Sequence, residues 1–241
     1  SEPLMAHAYS FSAMSVFIFL TIKWHEKPSI KNSFLIGLVL GLVALLRPTN
    51  IIIALFFILW DVKSFRDFSG KVLFFSRNYQ SLFILVIAFI ITWIPQFIYW
   101  KHVAGSYLYW SYGNDTWSNG NDAGFFFDNP QIFHVLFSFR KGWLLYTPIM
   151  IFALIGIPLL WKYVKKTFFP VLLITLLAIY VISSWWSWWY GCSFSQRPFV
   201  DYYALLSIPM GVFYHAFWSM RSKIKVLLIP VVVFLIFLNL F

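Results

Sequence analysis

Four cations carry the most specific chemistry in this sequence: Arg47, Arg140, Lys141 and Arg197. They sit at the edges of apolar runs, in the strings LRPTN, FRKGW and SQRPF. A cation carried to the middle of a bilayer costs about 2.5–3.5 kcal/mol and needs a compensating partner. Phosphate is one such partner, because a planar guanidinium can meet two of its oxygens at once. The headgroup phosphate of a surrounding lipid, reached by a snorkelling stem, is the other. Asp201 follows Arg197 by four residues, so with a helix starting at Pro198 the two side chains pair across one turn or line a cleft together.

Other polar groups cluster near these cations in sequence. His7 opens the first apolar run, where a histidine serves as a helix-end hydrogen-bond partner or as a base. No Ser-His-Asp order and no HExxH spacing accompanies it, so hydrolytic chemistry has no support. The long segment 101–142 holds Asp115, Asp122 and Asp128 among Tyr107, Tyr109, Trp110, Tyr112, Trp117 and the run Phe125 to Phe127. Aromatic faces beside Asn and Asp suit sugar rings, which offer apolar C–H faces and hydroxyl edges; a short interfacial helix capping a bundle explains the same aromatics. The segment 185–201 reads WWSWWYGCSFSQRPFVD and contributes Trp188 and Tyr190 to a sugar or acceptor contact. Oxygen ligands for a divalent cation exist here but form no tight motif, so no metal and no cofactor is assigned.

Composition decides what must hold these groups. Hydrophobic residues make up 61% of the 241, charged residues only 11%, and the mean hydropathy is +0.78. Soluble domains carry about 25% charged residues, so the reading is a polytopic membrane protein. The aromatic content of 23% fits interfacial belts. The net charge of +10 lies in short loops rather than along one polar face, which argues against nucleic acid as a partner. Cys192 is the only cysteine, which excludes an internal disulfide and thiolate-built metal centres.

Apolar segments fall at 8–22, 32–46, 50–62, 82–100, 143–161, 168–184, 202–218 and 226–241. The fold class expected is therefore all-α, a single transmembrane helical bundle of about eight membrane segments over residues 1–241. Its outer loops are 101–142 and 185–201. Arg47-Pro48 interrupts the apolar stretch Phe34–Trp60, and charge decides how that break is read. With the chain folded back into a broken hairpin, Lys23, Lys27, Lys31, Lys63, Arg66, Lys71, Arg77, Lys162, Lys165, Lys166, Arg221, Lys223 and Lys225 share one side. These are thirteen of the 18 Lys and Arg, and the larger set marks the cytoplasm. Of the acids, Glu2, Asp115, Asp122, Asp128 and Asp201 join the five outer cations, while Glu26, Asp61 and Asp67 lie inside. Both ends look cut, so the sequence reads as part of a longer protein.

Several stretches together resemble the GT-C superfamily of bacterial integral-membrane glycosyltransferases, closest to its protein-mannosyltransferase-like and aminoarabinose-transferase-like branch. They are LMAHAYSFS, GLVLGLVALLRPTN, RKGWLLYTP and WWYGCSFSQRPFVDYYALLSIP, in family order over nearly the whole chain. The resemblance implies transfer of a sugar from a polyprenyl-phosphate carrier to an acceptor on the outer side of the cytoplasmic membrane. It implies that Arg47 lies near the carrier phosphate, with Arg140, Lys141 and Arg197 bordering that cavity. The family's acidic base would precede Ser1. Two alternatives stay open: a transporter of lipid-linked saccharide, which would be expected to show repeated halves that this sequence lacks, and a non-catalytic subunit of a larger membrane assembly.

Overall fold

The computed structural model describes residues 6–109, 124–191, 194–220 and 222–240, and among these every regular element is helical. The one strand-like contact is an isolated backbone bridge between Phe125 and Trp185. Helix α1 spans Ala6–Glu26 and α2 spans Ile30–Leu46. Between them Pro28 and Ser29 make a tight turn, with the Ser29 hydroxyl accepting the Asn32 amide at 3.3 Å as an N-cap. Trp24, fully buried, donates its indole N–H to Ser33 at 2.7 Å and locks the two helices side by side.

Pro48 ends α2. A proline disfavours the α conformation in the residue before it, and Arg47 is extended, at φ −157° and ψ 112°. A 3-10 helix then runs over Pro48–Ile53 and passes into the short α3, Ala54–Ile58. The direction of this leg follows from its neighbours. Arg47 lies beside His7 through Asp201, whereas Phe57 packs on Trp24 and His25 with ring centroids 4.8 and 5.0 Å away. The chain has thus returned from the His7 end of α1 to its Trp24 end. The hairpin expected at Arg47-Pro48 is present.

Helix α4 (Phe65–Arg77) then lies across the Trp24 end, and α5 (Tyr79–Ala104) travels back, ending at Gly105 in the left-handed conformation, φ 72°. Helices α2 and α5 run parallel and very close. A Cβ on Gly37 would strike the Leu85 carbonyl and Ala88, and one on Gly41 would strike Thr92. Short helices α6 (Ile132–Phe137) and α7 (Trp143–Tyr146) cross the His7 end before α8 (Met150–Tyr163), α9 (Lys165–Ser183) and, after a 3-10 helix over Arg197–Tyr202, α10 (Tyr203–Trp218) complete the bundle. Helix α11, Ser222–Leu240, follows. Asp61 accepts no helical geometry at φ 64°, and its amide donates to the Lys166 carbonyl at 3.1 Å, so residues 61–63 and 166 share the Trp24 end.

Three elements differ from the sequence reading. Residues 63–77, expected as a cationic loop, fold into α4. The segment 143–161 breaks at Thr147-Pro148 into α7 and α8, for the same reason that Pro48 breaks α2. Among the described residues, two helices, α5 and α9 with 26 and 19 residues, are by themselves long and apolar enough to cross a membrane, against the eight crossings expected. The apolar helices at 30–46, 48–58 and 150–163 are shorter.

Candidate functional site

The His7 end converges on one buried carboxylate. Asp201 has a side chain only 1% exposed, and charge at such depth is tolerated only when it is paired and hydrogen-bonded. Three donors supply that. His7 Nδ1 lies 2.7 Å from Oδ1, while Asn50 Nδ2 at 2.8 Å and an Arg47 guanidinium nitrogen at 3.4 Å meet Oδ2. Since a carboxylate only accepts, the His7 proton facing it is on Nδ1, and the Asn50 amide presents its NH₂. The neutral tautomer of His7 therefore keeps a lone pair on Nε2.

Local backbone explains the convergence. Asn50 N donates to the Arg47 carbonyl at 2.9 Å, and the 3-10 repeat puts residues three apart on one line, so Arg47 and Asn50 address the same carboxylate. Asp201 comes from the second 3-10 helix, which Arg197 and Pro198 open, a start that suits proline because the first turn needs no N–H. The Asp201 carboxylate makes its bonds across the bundle to His7, Asn50 and Arg47, where the sequence suggested a local partner in Arg197.

Tyr190 forms one wall of this site. The Arg47 guanidinium stands 6.0 Å from its ring centroid, and its hydroxyl donates to the Ile182 carbonyl at 3.1 Å. Burial pushes the Tyr190 phenol above its ordinary value, and the positive charges of Arg47 and Arg197 pull it back. The Arg47 side chain remains 28% exposed. Among the described residues its guanidinium makes a single hydrogen bond, that to Asp201, out of the five N–H donors it carries. Asn50, itself fully buried, keeps an Oδ1 with no partner among the described residues. Of this group Arg47 is the part-exposed member, a cation with spare donors suited to a phosphate, while the Asn50 amide stays buried behind it.

The remaining expected residues divide. Arg140 lies over the Trp189 ring at 4.2 Å and the Trp188 ring at 6.0 Å, exposed at the rim of this end. Trp188 stacks on His134 at 5.2 Å. Its carbonyl accepts the Gln196 side chain at 3.0 Å, which joins this rim to the strand of chain leading to Arg197. Lys141 follows Arg140, half-buried. Asp115 and Asp122 fall outside the described residues, and Asp128 is exposed. Among the described residues no cluster of three or more His, Cys, Asp or Glu forms a metal site. Asn50 is the functional candidate that sequence reasoning missed. Its signal was the spacing in RPTN, with the amide three residues beyond the arginine in a segment that proline prevents from continuing as α-helix.

Removing the carboxylate strands the cation. Asp201→Ala is expected to destabilise the chain by about 3–5 kcal/mol, the cost of breaking a buried pair, and Asn50→Ala by about 1–3 kcal/mol through one unmet acceptor. Thermal unfolding of the purified variants checks both, and an Asp201→Ala protein as stable as wild type would contradict the arrangement. Comparison with protein-family models, with curated proteins and with solved structures finds no match to this chain in any of the three.

Proposed function

We propose that this chain is the membrane-embedded part of a glycosyltransferase that takes a sugar from a polyprenyl-phosphate carrier and passes it to an acceptor on the outer side of a bacterial cytoplasmic membrane. In this reading it is a multi-pass bundle of eight segments. Side chains such as Phe83, Val86, Ile90, Ile94 and Ile98 of α5 and Leu173 and Leu176 of α9 are exposed, an apolar surface too extensive for a water-facing monomer. Legs of 17 and 11 residues fall short of a full crossing, yet a segment shielded by neighbouring helices does not need the whole thickness to itself. The segments 23–31 and 162–166, which meet the Trp24 end, carry Lys23, Lys27, Lys31, Lys162, Lys165 and Lys166 against Glu26 alone, and a cationic excess of this kind supports a cytoplasmic assignment for that end.

The observation that carries the reading is Arg47, held by Asp201 at a proline break with most of its donors unspent. Glycosyl transfer from such a carrier breaks the bond between the anomeric carbon and the phosphate oxygen as the acceptor oxygen attacks. The leaving phosphate keeps the bonding electrons. A fixed guanidinium beside it stabilises that charge without having to reorganise, an effect worth several kcal/mol for a well-placed donor. Arg197, whose charge also reaches the Tyr190 phenol, adds a second positive charge, and Arg140 and Lys141 border the approach. The aromatic rim of Trp188 and Tyr190 supplies faces for the sugar. The base that activates the acceptor is assigned to no residue of this chain.

Two measurements test this. In a Cys192→Ser background, a membrane-impermeant maleimide added to intact cells is expected to label Thr49→Cys and spare Ser69→Cys; equal labelling of the two from outside would overturn the topology. Purified chain titrated with undecaprenyl phosphate is expected to bind saturably, with Arg47→Ala weaker by about tenfold or more, the effect of one charge-assisted contact, and Arg47→Lys intermediate. Identical affinity in Arg47→Ala would remove the carrier-phosphate role.

A further inference from the structure

The turn at residues 59–64, far from Arg47, separates two recesses of opposite character. On one side is a polar cavity of about 500 Å³, whose lining includes His25, Glu26, Asp61, Asp67, Lys71 and Lys166. On the other is a groove of about 400 Å³ between that turn, Phe68 of α4 and α9, lined by Leu59, Phe169, Leu172, Leu173 and Leu176 with Ser64. Val62 belongs to both walls, so the two recesses meet at one residue. A charged recess opening beside a hydrocarbon-lined one is the complement of an amphiphile.

The charges narrow the headgroup. Lys63, Lys71 and Lys166 face Glu26, Asp61 and Asp67 within one cavity, so its wall offers both signs in equal number. Asp61 engages Lys63 at 2.9 Å and Lys166 at 3.7 Å. Lys71 is different. Its Nζ donates to the Trp60 carbonyl at 2.8 Å and lies 5.3 and 5.2 Å from the Phe74 and Phe75 rings, and among the described residues it has no carboxylate within ion-pair distance. Burial brings its pKa down to about 8, with the nearby Asp61 opposing that shift without forming an ion pair. Glu26, with a side chain 61% exposed, is tied only to Lys23 at 3.3 Å and keeps acceptor capacity for a cation.

We propose that this paired recess binds one phospholipid of the cytoplasmic leaflet, an acyl chain lying in the groove on α9 and a zwitterionic headgroup of the phosphatidylethanolamine kind in the cavity. Its phosphate meets Lys71 and Lys166, and its primary ammonium meets Glu26 and Asp67. An anionic headgroup would leave those carboxylates unanswered, and a quaternary ammonium could not donate hydrogen bonds to them. The site depends on the membrane placement but not on sugar transfer.

Purified, delipidated chain mixed with equal amounts of phosphatidylethanolamine, phosphatidylcholine and phosphatidylglycerol, and examined by native mass spectrometry, is expected to retain one phosphatidylethanolamine in preference to the others by about tenfold, the worth of one charge-assisted hydrogen bond. Glu26→Lys, a change at the surface, is expected to turn the preference toward phosphatidylglycerol. Leu173→Trp fills the groove and is expected to lower retention of all three while leaving undecaprenyl phosphate binding unchanged, so failure here and failure of the carrier reading are told apart. Equal retention of the three lipids by the wild-type chain would mean annular lipid only and would overturn the proposal. Unaltered preference in Glu26→Lys would remove the headgroup assignment.

Discussion

Everything at the His7 end depends on keeping one carboxylate charged in a dry place. Asp201 is sealed from solvent, and an unpaired carboxylate there would be far costlier than any contact it makes. Its three donors come from residues 151 to 194 positions away in the chain. The start of α1, the break after α2 and the 3-10 helix before α10 are therefore fixed relative to one another by a single group. The same bond set ties the Arg47 guanidinium to Asp201 through one nitrogen at 3.4 Å, which holds the cation at this end of the bundle.

The two ends of the bundle solve different problems with the same residue types. At the His7 end one acid answers one guanidinium, and an amide and an imidazole complete the shell. At the Trp24 end acids and ammonium groups alternate around an open cavity, with Lys71 cushioned on aromatic faces rather than paired. Net positive charge accumulates there because lysines outnumber their partners in residues 23–31 and 162–166. An orientation signal and a binding surface can be built from the same lysines, since the first depends on their number and the second on where their ammonium groups point.

What was legible in the sequence was whatever a local rule controls. Proline restricts the residue before it, so the reversal at Arg47 could be read from Pro48 and from the sorting of cations on either side. A helix start at Pro198 was visible for a similar reason, although its 3-10 form was not. The same preference operates at Pro148, between α7 and α8, but Pro95, Pro158, Pro170, Pro209 and Pro230 are carried inside helices, so proline alone does not locate the breaks. Helix α4 was missed because FRDFSGKVLFFSR mixes charges with apolar residues at a helical period, and its charges drew the reading toward a loop. The bond from His7 to Asp201 spans 194 residues and leaves no trace in spacing. Nor does the ion pair of Asp201 with Arg47, 154 residues away, which only the packing of separate segments brings about.

The strength of the coupling between Arg47 and Asp201 tests this account most directly. In a double-mutant cycle on thermal stability with Arg47→Met and Asp201→Asn, residues in one ion-paired network are expected to couple by about 0.5–3 kcal/mol, whereas independent sites add to within about 0.5 kcal/mol. The account predicts that the double variant is clearly more stable than the sum of the two single losses. Simple additivity would show that the carboxylate does not hold the guanidinium, and the organisation described for this end of the molecule would be wrong.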